Sequence, residues 1–84
     1  MAFDKETYLK EKAIQFVHEF SDRNNVLGLV GFKTKLRYYL STLNNDIDKR
    51  QFVNYSIDIV YQFPKEEQES LKDFIYVLNG YVSS

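Results

Sequence analysis

Leu29, Phe32, Leu36, Tyr39 and Leu43 follow one another in alternating steps of three and four, with Leu40 beside them. Only a helix brings such positions onto one line, so this stretch reads as a helix laying a narrow apolar seam against other helices. A single amphipathic helix cannot cover its own stripe, so the rest of the 84-residue chain must supply the cover.

A second stripe of the same period precedes it: Leu9, Ala13, Phe16, Val17 and Phe20. Asp4 is placed to cap this helix, and Glu6 in its first turn suits the positive end of the helix dipole. Ser21-Asp22-Arg23-Asn24-Asn25 is dense in residues that compete with helical backbone hydrogen bonds and ends it. Gly28 and Gly31 weaken the start of the second helix by up to ~1 kcal/mol each relative to alanine, and leave room for a neighbouring backbone. Asn44-Asn45 closes that helix, and Asn45 or Asp46 can cap the next.

The third segment, 47–63, carries two patterns. Phe52, Val53, Ser56, Ile59, Val60 and Phe63 make a broad helical face, whereas Val53, Tyr55, Ile57, Ile59, Tyr61 and Phe63 alternate as a strand does. Its β-branched content favours the strand. A strand needs a partner, however, and no other segment offers one of matching length, so the helix is the expectation. Phe63-Pro64-Lys65-Glu66-Glu67 then starts a fourth helix. Its apolar face is Leu71, Phe74, Ile75 and Leu78, and Asn79-Gly80 is read as its C-terminal cap rather than a hairpin turn.

These elements predict an all-α fold, a small antiparallel four-helix bundle, in a single domain over 1–84. The helices are expected near 4–21, 27–44, 47–62 and 65–79. Phe16, Phe20, Leu36, Leu40, Val53, Val60, Leu71, Phe74 and Leu78 are expected to be buried.

Composition narrows the function. The net charge is −1, which disfavours nucleic-acid binding through bulk charge. No cysteine is present, so there is no disulfide framework and no thiol chemistry, and the expected compartment is the cytoplasm. The N-terminus turns polar at once, unlike a signal peptide, and the longest apolar run, Val26 to Phe32, is far short of the ~20 residues of a spanning helix.

Catalytic and metal-binding patterns are weak. His18 is the sole histidine and lies roughly opposite the first stripe, the position of a surface residue. The run from Asn44 faintly resembles a calcium loop, but Lys49 stands where glycine is needed and Tyr55 where glutamate is needed. Gly28-Leu29-Val30-Gly31 lacks the glycines and the Lys-Ser/Thr ending of a phosphate loop. Glu66, Glu67 and Glu69 answer to helix polarity. The expectation is a non-enzymatic chain with no cofactor.

Binding has better candidates. Seven tyrosines and seven phenylalanines make 17% of the chain aromatic, and tyrosine suits half-buried and interface positions. Tyr38, Tyr55 and Tyr76 fall off the stripes of their helices and, with Tyr61, are the candidate partner-contacting residues. Lys33 and Arg37, one turn apart, can jointly hold a carboxylate at the rim of such a contact. Lys35, Lys49 and Arg50 extend the basic set, which suits an acidic partner protein or a membrane-proximal surface. Self-association is left open, because the Leu29–Leu43 seam can also pair between chains.

Three strings carry a resemblance: Lys10-Glu11-Lys12-Ala13-Ile14-Gln15-Phe16, Phe52-Val53-Asn54-Tyr55, and Phe63-Pro64-Lys65-Glu66-Glu67-Gln68 ahead of Leu71. In order and placement the chain resembles the class IIa bacteriocin immunity proteins, small cytoplasmic antiparallel four-helix bundles. The resemblance implies recognition of a bacteriocin-engaged sugar-transport permease from the cytoplasmic side, with Tyr81-Val82-Ser83-Ser84 in place of the family's longer C-terminal tail. Two other readings suit the residues: a small inhibitor or regulator from a phage or mobile element, and a helical small subunit of a nucleoprotein complex.

Overall fold

The computed structural model describes residues 4–21 and 28–83. Among them are five helices, α1 (Lys5–Ser21), α2 (Leu29–Ser41), α3 (Asp46–Tyr61), α4 (Lys65–Ser70) and α5 (Lys72–Ser83), and no strand. The polar break expected at 22–25 and the helix start expected at 27 lie outside the described residues.

Helix starts follow the local chemistry. Asp4 Oδ1 accepts from the backbone N–H of Glu6 at 3.1 Å and of Thr7 at 3.4 Å, and its Oδ2 accepts from the Thr7 hydroxyl at 2.8 Å. Those hydrogen bonds, led by the Thr7 hydroxyl, hold the Asp4 carboxyl below its ordinary range. Asn45 caps α3, its Oδ1 accepting from the Asp48 N–H at 2.8 Å while its amide donates to Asp48 Oδ2 at 3.2 Å. Lys5 Nζ reaches the same carboxylate at 3.4 Å, tying the start of α1 to the start of α3.

Segment 46–61 is a helix. Its buried side is Phe52, Val53, Ser56, Ile57 and Val60, a stripe of helical period, and the fully buried Ser56 hydroxyl donates to the Phe52 carbonyl at 3.0 Å. The helix ends at Tyr61, and the Gln68 amide donates to the carbonyls of Tyr61 and Phe63, at 3.1 and 2.8 Å, across the Pro64 turn.

The remaining boundaries differ from expectation. Helix α2 stops at Ser41, short of Asn44, because the hydroxyls of Ser41 and Thr42 take the carbonyls of Tyr38 and Tyr39 at 2.6 and 2.7 Å. The fourth helix is two helices, broken at Leu71, whose φ of −104° and ψ of 10° leave the helical range. Ser70 donates its hydroxyl to the Glu67 carbonyl at 2.8 Å just before the break, a bond of the kind that bends helices. Asn79-Gly80 does not cap α5, which runs on to Ser83. Tyr81 and Val82 continue its apolar side and pack against the core, and that burial outweighs the ~1 kcal/mol that glycine costs a helix. Nor does Gly28 admit a neighbouring backbone: it is the N-cap of α2, and a Cβ there would meet nothing within 4 Å.

The core is a cluster of rings centred on Phe16, which has no exposed surface. Its ring lies 5.0 Å from Phe20, 5.6 Å from Phe32, 5.2 Å from Tyr39 and 5.5 Å from Phe52. Phe74 of α5 stacks on Phe32 at 4.4 Å, so α1, α2, α3 and α5 all enter one aromatic core. Of the residues expected inside, Leu40 and Phe74 are only half-buried, while Phe16, Phe20, Leu36, Val53, Val60, Leu71 and Leu78 are buried. The α2 seam is used within the chain: Phe32, Leu36, Tyr39 and Leu43 are buried, and Leu29, at the helix start, is 42% exposed.

Candidate functional site

With about 100° between residues, the buried line of α1 divides its remaining surface into two flanks. Lys12, Gln15 and Glu19 lie toward α2, and Lys10 and Ile14 lie toward α3. Each flank borders a cleft.

The α1/α2 cleft has a volume of about 480 Å³ and is lined by Lys12, Gln15, Glu19, Thr34, Lys35, Tyr38 and Tyr39. Lys12 Nζ donates to Thr42 Oγ1 at 3.3 Å and sits 5.2 Å from the Tyr8 ring centre and 5.9 Å from that of Tyr39. Burial, reinforced by a hydrogen bond to the Glu19 carboxylate, pushes the Tyr39 hydroxyl up to about 12. The Oε2 atom of Glu19 is buried and has no hydrogen-bond partner among the described residues.

The α1/α3 groove, about 410 Å³, is lined by Lys10, Ile14, Tyr55, Asp58, Ile59 and Gln62. Lys10 lies 5.5 Å over the Tyr55 ring and pairs with Glu6 at 3.1 Å. The hydrogen bond and charge of Glu6 raise the Lys10 ammonium above its ordinary value.

The six sequence-derived contact residues divide among three helices. Lys33, Arg37 and Tyr38 share the outer face of α2 with Val30, and all four are exposed, Tyr38 by 64% and Val30 by 80%. Tyr55 is half-buried in the α1/α3 groove and packs against the core. Tyr61, 53% exposed, ends α3, and Tyr76, 80% exposed, stands on the outer side of α5. The structure therefore joins Tyr38 to the basic pair and leaves the other three tyrosines elsewhere. Lys49 and Arg50 sit on α3, apart from the α2 cations. His18 is exposed near the end of α1.

Charge is unevenly placed. No acidic residue occurs between Asp22 and Asp46, and α2 carries Lys33, Lys35 and Arg37 with no acid. The remainder of the chain, with eight basic against twelve acidic residues, is net −4. None of the three α2 cations is in an ion pair among the described residues. Periodicity did not single out Lys12 and Glu19. Their spacing of seven places them on one flank of α1, but only the packing of α2 beside it turns that flank into a cleft wall.

Among the described residues, no helix is long and apolar enough to cross a membrane, and no group of three or more His, Cys, Asp and Glu side chains is arranged to hold a metal ion. Comparison with protein-family models, with curated proteins and with solved structures finds no match for this chain.

Proposed function

We propose that this chain is a non-enzymatic helical domain that works by binding another protein, and that α4 and α5 together act as the fourth member of an antiparallel four-helix bundle. The observation that carries the binding reading is the exposure of Tyr38, Tyr61 and Tyr76, three large aromatic side chains that the core does not use. Tyrosine supplies wide, rigid contact area and loses few rotamers on ordering, so it is over-represented at binding hot spots. The most concrete form of the reading is an immunity-like protein acting in the cytoplasm on a bacteriocin-engaged permease. It is supported by the sequence order of the three family-like strings and by the helical architecture they fall in.

The test is single replacement of Tyr38, Tyr55, Tyr61 and Tyr76 by alanine, with partner affinity measured by calorimetry after circular dichroism shows each variant folded. At least one variant loses ~2 kcal/mol or more of binding free energy, the usual mark of a hot spot. Unchanged affinity in all four removes the aromatic surface as the contact site.

A further inference from the structure

We infer that the α1/α2 cleft, together with the basic outer face of α2, receives an acidic peptide segment of the partner protein; this rests on the protein-binding reading above.

Three observations point to that occupant. The first is charge. Lys33, Lys35 and Arg37 project from a helix with no acidic residue and are in no ion pair among the described residues, while the rest of the chain is net −4. The acid-free α2 is therefore the most cationic helix, with Lys35 on its cleft flank and Lys33 and Arg37 on its outer side, and it favours an anionic surface over a basic one. The second is shape. The cleft is concave, about 480 Å³, with Lys12 on its α1 wall and Lys35 on its α2 wall, so a carboxylate entering it meets a cation on either side. The third is Glu19. Its Oε2 is buried on the cleft wall without a hydrogen-bond partner among the described residues, an arrangement that costs free energy until a donor arrives. A peptide backbone brings N–H donors along with its acidic side chains. A nucleic-acid strand or a lipid surface presents mainly phosphate acceptors to the same atom. Tyr38, at the cleft mouth, adds aromatic contact area beside the cations.

The experiment uses the full chain, labelled with ¹⁵N and titrated at low ionic strength. The probe is a blocked peptide of glutamates with one tyrosine and one leucine, and its lysine-for-glutamate counterpart is the control. The acidic peptide shifts amide signals of α2 and of the Lys12–Glu19 flank of α1, and the basic peptide does not. The double variant Lys35→Glu, Arg37→Glu, altered only at exposed positions, keeps its helical circular dichroism and binds the acidic peptide at least about tenfold more weakly, the effect of losing one close charge pair. The inference is overturned by shifts confined to other helices, by no shifts at millimolar peptide, by binding unaffected by the charge reversal, or by tighter binding to a thymidine oligonucleotide or to phosphatidylglycerol vesicles. A capture arm in the native host separates the two readings. A partner retained equally by the wild type and the double variant defeats the acidic segment and leaves the protein-binding reading standing. Failure of the wild type to retain any partner defeats both.

Discussion

Tyr39 is 5% exposed, and its ring packs against Phe16 and, at 5.6 Å, Phe52, yet its hydroxyl meets the Glu19 carboxylate. Both surroundings oppose loss of the phenol proton, which places its ionisation at about 12. Because the folded pKa is raised, the contribution to stability is complete below the unfolded value of about 10 and is lost as pH rises toward 12. Alkaline titration followed by phenolate absorbance should show a late step as the pH approaches 12. Tyr39→Phe should abolish that late step and flatten the loss of stability across the same pH window. At the centre of the same cluster, Phe16 touches rings from α1, α2 and α3. Phe16→Ala should cost ~3–5 kcal/mol in urea denaturation, much of the total that a domain of this size holds at ~0.05–0.15 kcal/mol per residue. A loss under ~1 kcal/mol would mean that the ring cluster does not organise the core.

Among the elements, α5 departs most from its local signals. Asn-Gly ordinarily ends a helix through a glycine of positive φ, but no described glycine has one here, and Gly80 is exposed inside the helix, where an added Cβ would meet nothing within 4 Å. Gly80→Ala should therefore stabilise the protein by ~0.5–1 kcal/mol, read as a rise in the denaturation midpoint. A fall in the midpoint would restore the residue to the role of a cap. Segment 46–61 is ambiguous in sequence for a different reason. Val53, Ile57, Ile59 and Val60 satisfy both a twofold and a 3.6-fold pattern, and propensity leans toward the strand. With helices on both sides and no strand to pair with among the described residues, the helix satisfies its own backbone and buries Phe52, Val53, Ile57 and Val60 together. The break at Leu71 is invisible to periodicity, because Leu71, Phe74, Ile75 and Leu78 keep helical spacing straight through it.

Across the whole molecule, α1 packs most extensively against α3 and also against α2, and α5 meets both α3 and α2. That arrangement turns the two flanks of α1 into separate clefts of different chemistry. The one beside α2 is bordered by cations in no ion pair among the described residues, and the one beside α3 has its lysine already committed to Glu6 and the Tyr55 ring. The sequence by itself indicated the helical class, most of the core and the identity of the exposed α2 side chains, because helical period and capping act over a few residues. It also placed Lys33, Arg37 and Tyr38 outside the apolar seam of their helix, where the structure finds them. Only the tertiary structure decided that Tyr55, Tyr61 and Tyr76 stand away from that face, that Tyr39 reaches Glu19, and that Lys12 faces the same cleft as Lys35. The reason is physical: which side chains share a helix face follows from about 100° per residue, but which faces meet depends on how bulky rings such as Phe16, Phe32 and Phe74 interlock between helices, and no local pattern encodes that.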